Sequence, residues 1–125
     1  MRAFDTRAVA IAVDRPDKFI DNLLSRIVLS GVVGGRQGQP RRITPTAVMV
    51  IAAALRLHDE LGLAMPQALA LSRRLVEEPT DALPIGRHLA LTLDLQALKD
   101  EVLGRLEAAG EAVIERRRGR PKIKA

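Results

Sequence analysis

Residues 6–25 read TRAVAIAVDRPDKFIDNLLS, and this stretch decides the predicted fold. Its first eight residues are nearly all small and apolar, which predicts a short buried helix with Asp5 or Thr6 as its N-cap. Asp14 and Pro16 predict a turn and the start of a second helix, in which Asp14 caps and Pro16 occupies the first turn. Two short helices joined by a tight turn are the outline of a helix-turn-helix.

The residues that follow change to a strand-like pattern. Residues 27–35 read IVLSGVVGG, and β-branched residues that run into glycines predict a strand followed by a turn. Residues 34–40 predict a turn or flexible loop, and residues 41–44 predict a short returning strand. The sequence therefore predicts a small β-hairpin with a basic tip, that is, a wing.

Two longer helices are predicted next. Thr44 followed by Pro45 is a strong helix start, so a third helix is expected over 45–61, with Gly62 as its stop. A fourth helix is expected over 66–77. The positions predicted to face the core are Val48, Ile51, Ala52, Leu55 and Leu61 in the third helix, and Ala68, Leu69, Leu71, Leu75 and Val76 in the fourth.

Residues 78–81 predict a boundary that separates a winged helix-turn-helix unit over 1–78 from a second unit over 79–115. Leucines at alternate positions over 88–95 predict a half-buried strand, and 96–115 predicts an amphipathic helix. The apolar face predicted for this helix consists of Leu98, Val102, Leu106, Ala109 and Val113. A lone strand needs a partner, so it is expected to pair with the wing or with another chain. We expect a strand–helix dimerisation element; the alternative is that both elements pack on the winged domain of their own chain.

Charge is unevenly distributed along the 125 residues, whose net charge is +5. Residues 1–42 carry eight Lys or Arg against four Asp or Glu, residues 43–115 carry six against eleven, and residues 116–125 carry six with no acid. Two basic ends therefore flank an acidic middle. Such segregation is typical of a chain that meets a polyanion at both ends.

Composition excludes several functional classes. The chain has no cysteine, which excludes disulfides, thiolate metal sites and a cysteine nucleophile. It has two Phe and no Trp or Tyr, which argues against recognition of single strands by base stacking. No apolar run is long enough to cross a membrane, and the N-terminal residues lack a signal pattern, so a soluble, cytoplasmic protein is expected.

No residue pattern predicts an enzyme. His58 and His88 are far apart in sequence and lack nearby ligand spacing with carboxylates, so a metal or acid–base role is not expected. Ser25, Ser30 and Ser72 lack the strand–turn–helix context of an activated nucleophile. We expect no catalytic residue, no metal and no cofactor.

The last ten residues, 116–125, read RRRGRPKIKA. Their Arg-Gly-Arg-Pro core, 118–121, resembles the AT-hook, a short element that binds the minor groove of A·T-rich DNA. Gly119 lets the backbone approach the groove floor, and the two flanking arginines can follow a narrow, negative groove. The alternative is a disordered basic tail that binds any polyanion. The candidate DNA-binding residues here are Arg117, Arg118, Gly119, Arg120, Pro121 and Lys122.

The order of elements over residues 5–78 resembles the DNA-binding domain of MerR-type regulators: a helix-turn-helix, a basic wing, then a longer helix ending in Leu-Gly and a short final helix. The resemblance implies that the second helix enters the major groove and that the wing contacts phosphates. The chain lacks the family's long coiled coil and metal-sensing cysteines, so effector sensing is not implied. The residues that the resemblance assigns to DNA are Arg15, Lys18, Asn22 and Arg26 on the second helix and Arg36, Arg41 and Arg42 on the wing.

The predicted fold is therefore mainly α with a small β component: a winged helix-turn-helix, a strand–helix dimerisation element and a disordered basic tail. The predicted function is a double-stranded-DNA-binding transcriptional regulator or nucleoid-associated protein, acting as a homodimer. The alternative is a protein-interaction module, antitoxin-like or an adaptor, with an incidental tail. The two differ in what lies beside the second helix: arginines of the wing for DNA, or an exposed apolar patch for a protein partner.

Overall fold

A computed structural model describes residues 3–35, 40–78 and 82–123 of the chain, with side chains as far as Ala109. The described part is mainly helical with a small antiparallel β component, as the sequence predicts. The elements are α1 (Thr6–Val13), α2 (Asp17–Arg26), β1 (Val32–Val33), β2 (Arg42–Ile43), α3 (Pro45–Leu61), α4 (Met65–Glu77), β3 (Leu83–Gly86), β4 (Leu89–Leu91) and α5 (Leu95–Ile123).

The first two helices form as predicted, but the turn between them is capped differently. The Asp5 carboxylate accepts a hydrogen bond from the Ala8 amide at 2.8 Å and starts α1. Asp14 does not cap α2, because it ends α1 in the left-handed conformation, with φ 57°. A short polar side chain tolerates this conformation better than most. The N-cap of α2 is Pro16, which makes no side-chain capping bond.

The first hairpin is shorter than predicted. Strands β1 and β2 have two residues each and pair antiparallel, with Val32 opposite Ile43. Phe4 adds a bridge to Ile43 on the other side of β2. Residues 27–31 are not a strand. The Ile27 amide still bonds to the end of α2, and a turn that includes Gly31 directly precedes β1.

Helix α3 is the centre of the core and contacts α1, α4 and α5. Thr44 caps it and Gly62 ends it with φ 71°, both as predicted. It is buried on almost every side, whereas the sequence predicts a single buried stripe. Leu61, predicted to lie inside, is 57% exposed because it occupies the last helical position before the stop.

The strand predicted to be alone in its unit pairs with another strand of the same chain. The predicted pairing with the wing or with another chain is therefore wrong. β3 and β4 form an antiparallel hairpin, with Leu83 opposite Leu91 and an irregularity between Pro84 and Gly86. Proline and glycine are poor strand residues, so β3 carries little sequence signal. The pairing of β3 with β4 means that neither the wing nor another chain is needed to complete the strand.

Helix α5 starts where Asp94 accepts a hydrogen bond from the Ala97 amide at 3.0 Å. It packs against α1 and α3 of its own chain. The buried positions on this face are Leu98, Val102, Leu106 and Ala109, as predicted. Val113, predicted to continue the face, lies beyond the described side chains.

The backbone of α5 continues as a helix to Ile123, so the prediction of a disordered tail from Arg116 is not what the structure has. Arginine is a good helix former, and positive side chains near a helix C-terminus interact favourably with the helix dipole. Within the described residues, no helix has the length and apolar character required to cross a membrane.

Candidate nucleic-acid interface

One face of α2 carries three of the predicted DNA-binding residues. Lys18, Asn22 and Arg26 are four residues apart, so they follow one another along a single side of the helix. All three are exposed, and neither cation forms an ion pair with a described residue. Ile20, completely buried, anchors the opposite side of α2 in the core. The helix is therefore held from behind and presents two cations and an amide to solvent.

Two carboxylates lie on the same helix, and neither is among the predicted DNA-binding residues. Asp17 and Asp21 are both exposed. Asp21 forms an ion pair with Arg41, which neutralises it locally, whereas Asp17 has no such partner among the described residues. The charge that α2 can offer to a polyanion is therefore smaller than a count of its basic residues suggests.

The hairpin brings its arginines to different environments. The Arg41 side chain is only 11% exposed and bonds to α2, through Asp21 and Ser25. Arg42 is exposed on β2 and forms no ion pair with a described residue. Arg36 lies outside the described residues.

Arg15 lies away from the α2 face. It follows the end of α1 and pairs with Asp59 near the end of α3. Both residues line a cleft of about 210 Å³ between α1, α3 and α5, whereas Lys18 lines the groove between the first two helices and the hairpin. The structure therefore does not bring Arg15 together with Lys18, Asn22 and Arg26 of α2.

The same cleft contains an ion-pair network that fastens α5. Glu101 pairs with Arg56 of α3 at 3.2 Å and with Arg105 of α5 at 3.0 Å. Arg105 also donates to the Ala12 carbonyl at 3.4 Å. Each arginine that lines the cleft pairs with an acidic residue, so the cleft offers no unpaired positive charge.

Arg7 is a basic residue that the sequence pattern did not single out. It is exposed in the first turn of α1 and lines the groove that also contains Lys18 and Arg41. Its position one residue after Thr6, at the start of a helix, gave no signal of a shared surface with α2. Only the packing of α1 against α2 reveals it.

Exposed apolar side chains lie in the connection after α2 and on the β1–β2 hairpin. Val28, in the connection after α2, is 98% exposed, and Val33 of β1 is 63% exposed. Val28 lines a groove together with Leu24, Val32 and Arg41. An exposed apolar patch beside the second helix is the feature expected of a protein-interaction module.

The tail residues, from Arg117 to Lys122, have a helical backbone within α5, and their side chains lie beyond those described. His58 has a local structural bond: its Nδ1 is 2.7 Å from the Leu63 carbonyl oxygen, just beyond the end of α3. His88 occupies the turn between β3 and β4. Comparison of the chain with protein-family models, curated proteins and solved structures finds no match.

Proposed function

We propose that this protein binds double-stranded DNA and acts as a transcriptional regulator or nucleoid-associated protein in the cytoplasm. The observation that carries the proposal is the exposed row of Lys18, Asn22 and Arg26 on α2, beside the β1–β2 hairpin. A helix of this kind fits the major groove, where lysine and arginine recognise guanine and asparagine recognises adenine.

The hairpin has a supporting role in this proposal. Arg42 is exposed and has no acidic partner in the described part of the chain, so it is free to neutralise a phosphate. Arg36, which lies between β1 and β2 in the sequence, is proposed to act in the same way. Arg7 extends the basic surface to α1.

The C-terminal tail is proposed to bind an adjacent A·T-rich minor groove. An AT-hook binds in an extended form, so the helical end of α5 has to unwind on DNA. Pro121 favours this change, because proline lacks the backbone N–H of a helix and disfavours helical conformation at the residue before it. Phosphate contacts by the neighbouring arginines would offset the helical bonds that unwinding breaks.

Fluorescence anisotropy with A·T-rich and G·C-rich duplexes across a salt series tests the proposal. Three chains are compared: the full chain, a truncation ending at Ile114, and Gly119→Ala, which keeps every charge. We expect the full chain to prefer A·T-rich duplex, and both altered chains to lose that preference while the truncation retains weaker binding. If Gly119→Ala keeps the preference, close approach of the backbone at Gly119 is not required and the AT-hook interpretation is wrong. If no chain binds duplex at moderate salt, the proposal is wrong.

A protein-interaction module, antitoxin-like or an adaptor, is the second candidate, and the exposure of Val28 and Val33 favours it. Large exposed apolar side chains at the end of a helix and on a strand edge are typical of protein contacts. Under this candidate, Val28→Thr weakens binding of a protein partner, and loss of the α2 cations has no effect on that binding. If the protein binds DNA instead, loss of the α2 cations weakens duplex binding more than Val28→Thr does.

A homodimer is proposed to form through the β3–β4 hairpin. Ile85 and Leu89, near the hairpin turn, are 44% and 62% exposed, and they extend the face whose base, Leu83, is buried. In the described residues each strand pairs only with the other, so both outer edges are open. A two-fold axis at the hairpin would cover the same face on both chains.

A further inference from the structure

Arg41 joins the β1–β2 hairpin to α2 through two side-chain bonds. One terminal nitrogen of its guanidinium forms an ion pair with the Asp21 carboxylate. The other donates to the Ser25 hydroxyl oxygen at 2.8 Å, and that hydroxyl donates to the Asp21 carbonyl at 2.7 Å. Asp21 and Ser25 are four residues apart on α2, so one planar guanidinium reaches both.

The hairpin backbone closes over the Arg41 side chain. A Cβ added at Gly35 would lie 2.7 Å from Arg41 Nε and 2.9 Å from its Cγ, so only glycine permits this approach. Gly35 has φ +90°, a conformation that other residues rarely adopt. The Arg41 side chain is thereby enclosed between the hairpin and α2, which explains its low exposure.

The neighbouring Arg42 differs in each of these respects. It is exposed and forms no bond to α2 among the described residues. Both side-chain bonds that link the hairpin to α2, within the described part of the chain, come from Arg41. Two adjacent arginines that look equivalent in the sequence therefore have different surroundings.

We infer that Arg41 is a positioning residue that fixes the hairpin against α2 and does not contact DNA, whereas Arg42 is the phosphate contact. The inference rests on the proposed function, since it assigns roles to two hairpin arginines that were both predicted to bind DNA. The pairing of Arg41 with Asp21 holds the hairpin and the exposed face of α2 in one orientation. That preorganisation reduces the entropy cost of binding.

The salt dependence of DNA binding separates the two roles. Removal of one phosphate-binding cation reduces the slope of log K against log salt by about 0.9 for duplex DNA. We expect Arg42→Ala to reduce the slope by this amount. Arg41→Ala is expected to lower affinity by about tenfold with the slope unchanged, because it loosens the surface without removing a phosphate-binding cation. If Arg41→Ala reduces the slope as Arg42→Ala does, the inference is wrong.

Two acidic substitutions with the same charge change give a second readout. Asp17→Asn removes a negative charge that has no described ion pair, so we expect it to raise affinity. Asp21→Asn removes the same charge but also removes the ion pair with Arg41 and leaves at most a weaker neutral hydrogen bond, so its affinity should fall below that of Asp17→Asn. If Arg41 were a phosphate contact, freeing it would instead make Asp21→Asn bind at least as tightly as Asp17→Asn.

A measurement without DNA keeps the inference independent of the proposed function. The Thr44 amide donates to the Gly31 carbonyl at 2.9 Å and reports on the hairpin. We expect hydrogen exchange at this amide to be at least about tenfold faster in Arg41→Ala than in Arg42→Ala. If wild type binds no duplex but exchange differs in this way, the positioning role stands and the DNA proposal fails. Equal exchange rates in the two variants overturn the positioning role.

Discussion

Gly31 lies where the hairpin meets α3, at φ +89°. A Cβ at this position would clash with Thr44 Oγ1 and would lie 3.3 Å from the Ala47 side chain. The Thr44 hydroxyl is also the cap of α3, accepting from the Ala47 amide at 3.3 Å. One glycine therefore permits both the turn after α2 and the start of the central helix.

Gly31→Ala is expected to destabilise the protein by about 2 kcal/mol, because it adds left-handed strain and a clash with the cap. Urea unfolding followed by circular dichroism measures the change. Gly104→Ala is the control: this glycine is exposed in α5 with nothing within 4 Å of an added Cβ. It should stabilise the chain by up to about 1 kcal/mol. Equal effects of the two substitutions would contradict this account of Gly31.

Candidate site residues differed in how well the sequence could predict their surroundings. The resemblance to MerR-type regulators assigned Lys18, Asn22 and Arg26 to one helix, and all three are exposed on α2. Arg41 could not be distinguished from Arg42, because its partners lie 16 and 20 residues away on another element. The partner of Arg15 is 44 residues away, so the sequence could not predict that its side chain points toward α3.

At the scale of elements, local signals placed the helices well. The bounds of α1 and α3 follow from capping residues and stop signals that lie within a few positions of each end. β3 was missed because Pro84 and Gly86 obscure it, and its pairing with β4 then changed the interpretation of the leucine-rich segment. The docking of α5 onto α1 joins segments about 90 residues apart, which no local pattern encodes.

This docking predicts that Leu106 stabilises the whole chain. Leu106 is completely buried on α5, so Leu106→Ala should cost about 2–5 kcal/mol. Because α5 packs on α1 and α3, thermal unfolding should remain one transition and shift as a whole. Leu103→Ala, at a partly buried position on the same helix, should shift it less. Two separate transitions, only one of them moved by Leu106→Ala, would show that α5 belongs to an independent unit.

At the scale of the whole molecule, the exposed end of the β3–β4 hairpin predicts self-association. Leu89→Thr should weaken the dimer by at least about tenfold, because it removes apolar surface from the proposed two-fold contact. Sedimentation equilibrium over a concentration series measures this. Leu61→Thr is the matched control, since Leu61 is similarly exposed at the end of α3. A chain that is monomeric throughout the series, or that responds equally to both substitutions, would contradict the proposed dimer.

The distribution of charge over the molecule leads to the most direct measurement of DNA binding. Two double variants each remove two positive charges: Lys18→Ala with Arg26→Ala on the α2 face, and Arg73→Ala with Lys99→Ala at exposed positions of α4 and α5. Anisotropy with one duplex across a salt series compares them. We expect the α2 variant to lose at least about tenfold in affinity throughout the salt series, and the other variant to remain close to wild type. Equal losses in both variants, or no loss in the α2 variant, would contradict the claim that this face of α2 binds DNA.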